Sequence, residues 1–97
     1  MGLYIVSSDI SFNMSYSNAR RFSGYLQRLS NNEVPTDLWL IEGHHIEAED
    51  CLTSALWLNK VCEDNDDYDQ DDMFDYWLRL LQTLLSGYED GKGVWIK

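Results

Sequence analysis

From Glu63 to Asp75, eight of thirteen positions carry a carboxylate and none carries Lys or Arg. The eight are Glu63, Asp64, Asp66, Asp67, Asp69, Asp71, Asp72 and Asp75. A segment with that density of like charge cannot be buried. The core must therefore come from the stretches on either side, with the acidic run carried on the surface between them. The chain holds 17 acidic and 7 basic residues for a net charge of −10, so outside the run nine acids face seven bases. The charge is a local feature, and its location is what a functional reading has to explain.

The flanking chain has the material for a core. A hydrophobic fraction of 44%, with 13% aromatic residues, is too high for a disordered acidic tail. Ninety-seven residues predict one domain over 1–97. "LYIVS" (3–7) is a short β-branched and aromatic run, a predicted strand. In "SYSNARRFSGYLQRL" (15–29), Ala19, Phe22, Leu26 and Leu29 recur at helical spacing, with Ser15 or Ser17 as the cap. "SNNEVPT" (30–36) holds the only proline and predicts a turn. "DLWLIEG" (37–43) is apolar enough on both faces to predict a covered strand. "IEAEDCLTSALWLNKVC" (46–62) predicts a helix with Leu52, Ala55, Leu56 and Asn59 along one edge of a broad face and Cys51, Leu58 and Cys62 along the other. "MFDYWLRLLQTLLSG" (73–87) predicts another, with Phe74, Trp77, Leu78, Leu81, Leu84 and Leu85 on its face and Gly87 as its stop. "GVWIK" (93–97) predicts a last strand. The order β-α-β-α-α-β describes an α+β fold, a sheet of about three strands packed on two to three helices.

Several classes are excluded or demoted. No apolar run approaches membrane-spanning length, and "MGLYIVSSD" lacks both the basic region and the apolar length of a signal peptide. Its Val6 stands where a myristoylation signal needs Ser or Thr. These features predict a cytoplasmic protein that does not engage membranes. Cys51 and Cys62, about three turns and roughly 16 Å apart on one helix, cannot bridge and are expected to fill the core. No phosphate-loop, dinucleotide-binding or nucleophile-elbow pattern is present, so no enzyme is predicted and no cofactor is called for. His44 and His45, among Glu42, Glu47 and Glu49, lack zinc-ligand spacing. Arg20, Arg21 and Arg28 could touch a phosphate, but the field of the whole chain would repel a polyanion, so direct nucleic-acid binding is not expected.

The acidic run divides into two parts. Asp72 as N-cap of the 73–87 helix, with Asp75 three residues on, resembles a capping box, and Asp71 beside them also faces the positive end of the helix dipole. Glu63 and Asp64 fall at the negative end of the preceding helix, where Lys or Arg is preferred. Asp66, Asp67 and Asp69 continue the run at a cost in repulsion. Calcium-loop frames fail: from Asp67 the glycine position holds Asp72 and the glutamate position Leu78, and from Asp64 they hold Asp69 and Asp75. A solvated loop that aids solubility is the plain alternative. The functional alternative is mimicry. Carboxylates spaced ~5–6 Å apart can face the Lys and Arg row of a nucleic-acid groove, gain steered association and exclude the real ligand. Tyr68, with Tyr76 beyond it, would supply flat anchors, and Glu47, Glu49 and Asp50 would extend the surface.

On its size, its single α+β domain and the run from Glu63 to Asp75, the chain resembles small acidic phage-encoded inhibitors, the anti-CRISPR proteins and antirestriction DNA mimics. That resemblance implies a non-enzymatic cytoplasmic protein in a bacterial host, binding the DNA path of a ribonucleoprotein such as a type I CRISPR surveillance complex. Immunity proteins that neutralise toxic nucleases share the same physics. The expected partner-binding residues are Glu63, Asp64, Asp66, Asp67, Tyr68, Asp69, Asp71 and Asp72. A calcium-responsive acidic module, or an assembly subunit using Trp39, Trp57 or Trp95, are the competing classes.

Overall fold

A computed structural model of the chain describes residues 2–65 and 71–97. The elements are β1 (Gly2–Val6), β2 (Ser11–Ser15), α1 (Tyr16–Ser30), a 3-10 turn (Thr36–Leu38), β3 (His45–Ile46), α2 (Ala48–Glu63), α3 (Phe74–Glu89) and β4 (Val94–Ile96). Every strand pair is antiparallel, in the order β2-β1-β4-β3. The fold is α+β as expected, with four strands where about three were expected.

The additional strand is β2. Its alternation is plain in three dimensions: Phe12 and Met14 face the core while Ser11, Asn13 and Ser15 are exposed. Two apolar residues in five, around an Asn of poor strand propensity, make a weak period-2 signal. It forms because the Ser7–Ile10 turn places it against β1. Ser7 N–H donates to the Ile10 carbonyl at 2.8 Å, and Ile10 N–H returns a bond to Ser7 Oγ at 3.1 Å. Ser7 Oγ also lies 2.9 Å from Ser86 Oγ on α3, so a buried polar pair fixes the turn to the helix layer.

α1 starts where its cap says it should. Ser15 Oγ accepts from Asn18 N–H, and Asn31 closes the other end in the left-handed conformation, its N–H reaching Gln27 O. The covered strand expected at 37–43 does not form. Leu38 and Leu40 are buried, but Trp39 and Ile41 are 55% and 52% exposed. Leu40 adopts φ 58° and Gly43 φ 91°, which no extended strand accommodates. An apolar run read as two-sided is in fact a winding segment that plants alternate side chains in the core. Side-chain bonds hold it: Asp37 Oδ1 to His44 Nε2 at 2.7 Å, Trp39 Nε1–H to Val34 O at 3.1 Å, and the Tyr16 hydroxyl to Glu42 Oε1 at 3.0 Å. The strand comes later, where His45 and Ile46 pair with Trp95 and Val94.

α2 packs chiefly on α3, and α3 in turn lies against β1 and β4. α2 buries Cys51, Ser54, Ala55, Leu58 and Val61, leaving Leu56 exposed. α3 buries Trp77, Leu80, Thr83 and Leu84, so its inward face is centred on Leu80 and leaves Leu78 and Leu85 over a third exposed. Gly87 does not stop α3, which runs on to Glu89. It serves close packing instead: a Cβ there would sit 2.7 Å from both Gly93 O and Val94 Cγ2. Burial converges on one cluster in which Ile5, Phe22, Leu26, Leu58, Leu80 and Val94 are inaccessible to solvent. At ~1.5–3 kcal/mol per large side chain, that cluster is the main source of stability.

Candidate partner-binding surface

The acidic run connects α2 to α3, at the end of the helix pair where α1 also terminates. Glu63 is the last residue of α2 and Asp64 its C-cap, both exposed. Asp64 N–H bonds Lys60 O at 3.1 Å, so the helix closes through its own backbone. Asn65 then turns its side chain inward. Its Nδ2 donates to Leu29 O at 2.9 Å and to Val61 O at 2.8 Å, satisfying a terminal carbonyl of α1 and one of α2 at once. Asp66, Asp67, Tyr68 and Asp69 lie outside the described residues.

Beyond them the chain is tied to α1 by charge. Asp71 Oδ2 accepts from Arg28 Nη2 at 2.8 Å, and Asp72 Oδ2 from Arg21 Nη2 at 2.8 Å. Arg21 and Arg28 are about two helical turns apart and so share a face of α1. Asp71 has a second role: its Oδ1 accepts from Met73 N–H at 2.9 Å, just before α3 begins. The Arg28 bond first, and the Met73 N–H second, hold the Asp71 carboxyl down at about 2. The N-terminal carboxylate of α3 is therefore Asp71, where Asp72 was expected. Met73 holds the cap position, no side chain caps it, and Asp75 is exposed. Asp72 reaches away from the helix to Arg21 instead, and both carboxylates are engaged within the chain.

Two expected extensions of the surface do not join it. Tyr76 is half-buried, its ring packed on Phe12 and Phe22 at centroid distances of 6.4 and 6.2 Å and its hydroxyl accepting from Asn18 Nδ2. It is a structural residue rather than an anchor offered to a partner. Glu47, Glu49 and Asp50 open the 16-residue α2, about 24 Å along the helix axis from Glu63. Glu49 and Asp50 favour the positive end of the helix dipole there. What adjoins the acidic connection is a cleft of about 360 Å³ between the C-terminal ends of α1 and α2, lined in part by Trp57, Lys60, Asp64 and Asn65.

The remaining chemically active groups have structural partners. The His45 ring lies tilted at 36° against that of Trp95, centroids 4.5 Å apart, with Nε2 2.9 Å from Lys92 O and Nδ1 3.4 Å from Glu47. Cys51 is fully buried beside Asp37, Asp50 and Asp90, and burial above all pushes its thiol up to about 12, which removes it as a nucleophile. Cys62, near the C-terminal end of α2, is half-buried. Among the described residues no three His, Cys, Asp or Glu side chains converge as metal ligands, and no helix is long and apolar enough to cross a membrane.

The arginines of α1 are what sequence reasoning misplaced. They were weighed as phosphate contacts, yet Arg21 and Arg28 neutralise the far end of the acidic run. Their seven-residue spacing was the available signal. Nothing in one dimension says which helix faces the run. No protein family, no curated protein and no solved structure matches this chain.

Proposed function

We propose that the protein is a non-enzymatic inhibitor that occupies the basic nucleic-acid-binding surface of another protein through the carboxylates at the α2–α3 connection. The observation that carries this reading is the division of labour along the run. Asp71 and Asp72 are neutralised by Arg28 and Arg21 and dock the connection on α1. Glu63 and Asp64 face solvent at the negative end of α2, with no cation paired to them among the described residues. Their charge contributes nothing to the stability of the helix that carries them. Charge that costs stability and stays exposed is what recognition of a cationic partner uses. Asp66, Asp67, Tyr68 and Asp69, directly following, belong to the same contact surface in this proposal.

The resemblance to phage-encoded inhibitors directs the first test to a type I CRISPR surveillance complex. The purified complex is mixed with target DNA and increasing amounts of this protein, at low and at high salt, and DNA retention is measured. The reading expects DNA to be displaced at low salt and much less at high salt, because contacts at a wet charged interface are screened. An Asp64/Asp66/Asp67/Asp69→Asn variant should lose that activity while melting no lower than the parent. Displacement by the variant equal to that of the parent would sink the assignment of the surface. A panel of basic nucleases run alongside separates an immunity function from a CRISPR target.

A further inference from the structure

The four-stranded sheet has two edges, and only one is blunted. β3, at one edge, is two residues long, and so short a strand offers little to pair with. β2, at the other, is five residues long. The direction of its backbone groups follows from β1. Tyr4 and Lys97 exchange both bonds, at 3.0 and 2.8 Å, so Tyr4 points at the β4 side. Its neighbours Leu3 and Ile5 therefore point at β2, where they face Met14 and Phe12. It follows that Ser11, Asn13 and Ser15 direct their N–H and C=O groups off the sheet. All three are exposed, and no described residue bonds the backbone of Ser11 or Asn13.

This edge also lacks the usual defences. "ISFNMSY" (10–16) contains no charge and no proline. Its composition is symmetric about Asn13. Phe12 and Met14 are apolar and buried, and Ser11 and Ser15 are small, polar and exposed. Ile10 and Tyr16 are large and apolar, 38% and 43% exposed, with the Tyr16 hydroxyl fixed 3.0 Å from Glu42 Oε1.

We propose that β2 is the interface of a homodimer, pairing antiparallel with β2 of a second copy about a two-fold axis through Asn13. In that register Asn13 exchanges both backbone bonds with its counterpart, and Ser15 N–H donates to Ser11 O of the other copy. Phe12 lies beside Met14, extending the inner layer across the axis, and exposed Ile10 meets exposed Tyr16. A two-fold contact needs a self-complementary patch, which the symmetry about Asn13 supplies. Charge also selects a second copy. A chain of net charge −10 repels its own kind over most of its surface, but 10–16 is neutral. The nearest carboxylate in sequence, Asp9, mirrors Ser17 rather than another acid, and Glu42, bonded to the Tyr16 hydroxyl, stands at the outer end of the patch, away from the axis at Asn13.

The test is sedimentation equilibrium over a dilution series, with amide hydrogen exchange on the same samples. The unmodified chain should approach twice its 11.3 kDa mass at high concentration. Exchange at the Asn13 and Ser15 amides should slow as concentration rises, while exposed loop amides do not change. Asn13→Lys places like charges on the axis, and Asn13→Pro removes the outward N–H, a substitution an edge strand accepts. Both should abolish the dimer and leave the melting temperature of the monomer nearly unchanged. A mass of 11.3 kDa at every concentration, with concentration-independent exchange at Asn13 and Ser15, would overturn the proposal. So would a dimer that survives both substitutions. If either variant fails to fold, the exchange of the unmodified chain decides.

Discussion

Arg28 and Asp71 are 43 residues apart in sequence and meet at 2.8 Å, joining the last turn of α1 to the residue that accepts the first N–H before α3. One carboxylate thus serves a helix start and an interhelical tie, and its ionisation is worth more in the folded chain than in the unfolded one. Its carboxyl sits at about 2 when folded, against an ordinary 3.8. A depressed acid contributes stability that is complete above the unfolded value and lost as pH falls through the folded one. The Asp71 contribution is therefore full at neutral pH and declines between about 4 and 2. Asp71→Asn should lower stability by about 1 kcal/mol at pH 7. Melting curves of the two proteins should converge as pH is lowered to about 2. A difference that stays constant across that window would show that Asp71 acts by shape rather than by charge.

Neutralising the two ends of the acidic run should have opposite signs. Glu63→Gln with Asp64→Asn removes two charges from the negative end of α2, and is expected to raise stability by roughly 0.3–1 kcal/mol per charge at low ionic strength. Asp71→Asn with Asp72→Asn breaks the ties to Arg28 and Arg21 and should lower it. Chemical denaturation of the two double variants, at low and at high salt, reads both effects. The gain from the first pair should shrink with salt, because those charges are exposed. Two losses of similar size would mean that Glu63 and Asp64 have structural partners after all.

How much of this was legible in the sequence depended on how local the cause was. The three helices were, because Phe22, Leu26 and Leu29 on α1, or Trp77 and Leu84 on α3, report a period that the helix itself imposes. The Ser15 cap was too, being a contact between residues three apart. β2 was not, because five residues with one Asn become a strand only when a turn presents them to β1. The apolar run at 37–43 misled for the reverse reason. Its composition says that side chains are buried but not that Leu40 takes a left-handed backbone to bury them. At the candidate surface, charge density was visible and charge pairing was not. Asp71 and Asp72 looked equivalent to Glu63 and Asp64 until α1 brought Arg28 and Arg21 to two of them.

Gly87 and Gly24 are both helical, and alanine should affect them in opposite directions. At Gly24 an added Cβ meets nothing within 4 Å, so Gly24→Ala should stabilise by roughly 0.5–1 kcal/mol through helix propensity alone. At Gly87 the same atom would lie 2.7 Å from Gly93 O, a backbone atom that cannot rotate away. The Gly93 N–H to Gly87 O bond, at 3.0 Å, ties the two segments together at that point. Gly87→Ala should then cost about 1–3 kcal/mol by pushing β4 off α3. Thermal denaturation of the two single variants checks the pair. A neutral Gly87→Ala would show that the turn before β4 can yield.

Cys51 offers a chemical test of the core. It is inaccessible to solvent, its thiol is raised to about 12, and its Sγ lies 3.6 Å from Ile46 O in β3. Alkylation requires both a thiolate and a path for the reagent, and folding withholds each. In native buffer near neutral pH, Cys51 should resist iodoacetamide, with mass spectrometry locating any label on Cys62. In denaturant both should react at ordinary rates. The rate at Cys51 below the unfolding transition should track the population of opened chains, so stabilising Gly24→Ala should slow it and Gly87→Ala should speed it. Rapid native labelling of Cys51, unchanged by either glycine variant, would place the thiol on a surface that α2 presents to solvent and would contradict the burial of that face of the helix in the core.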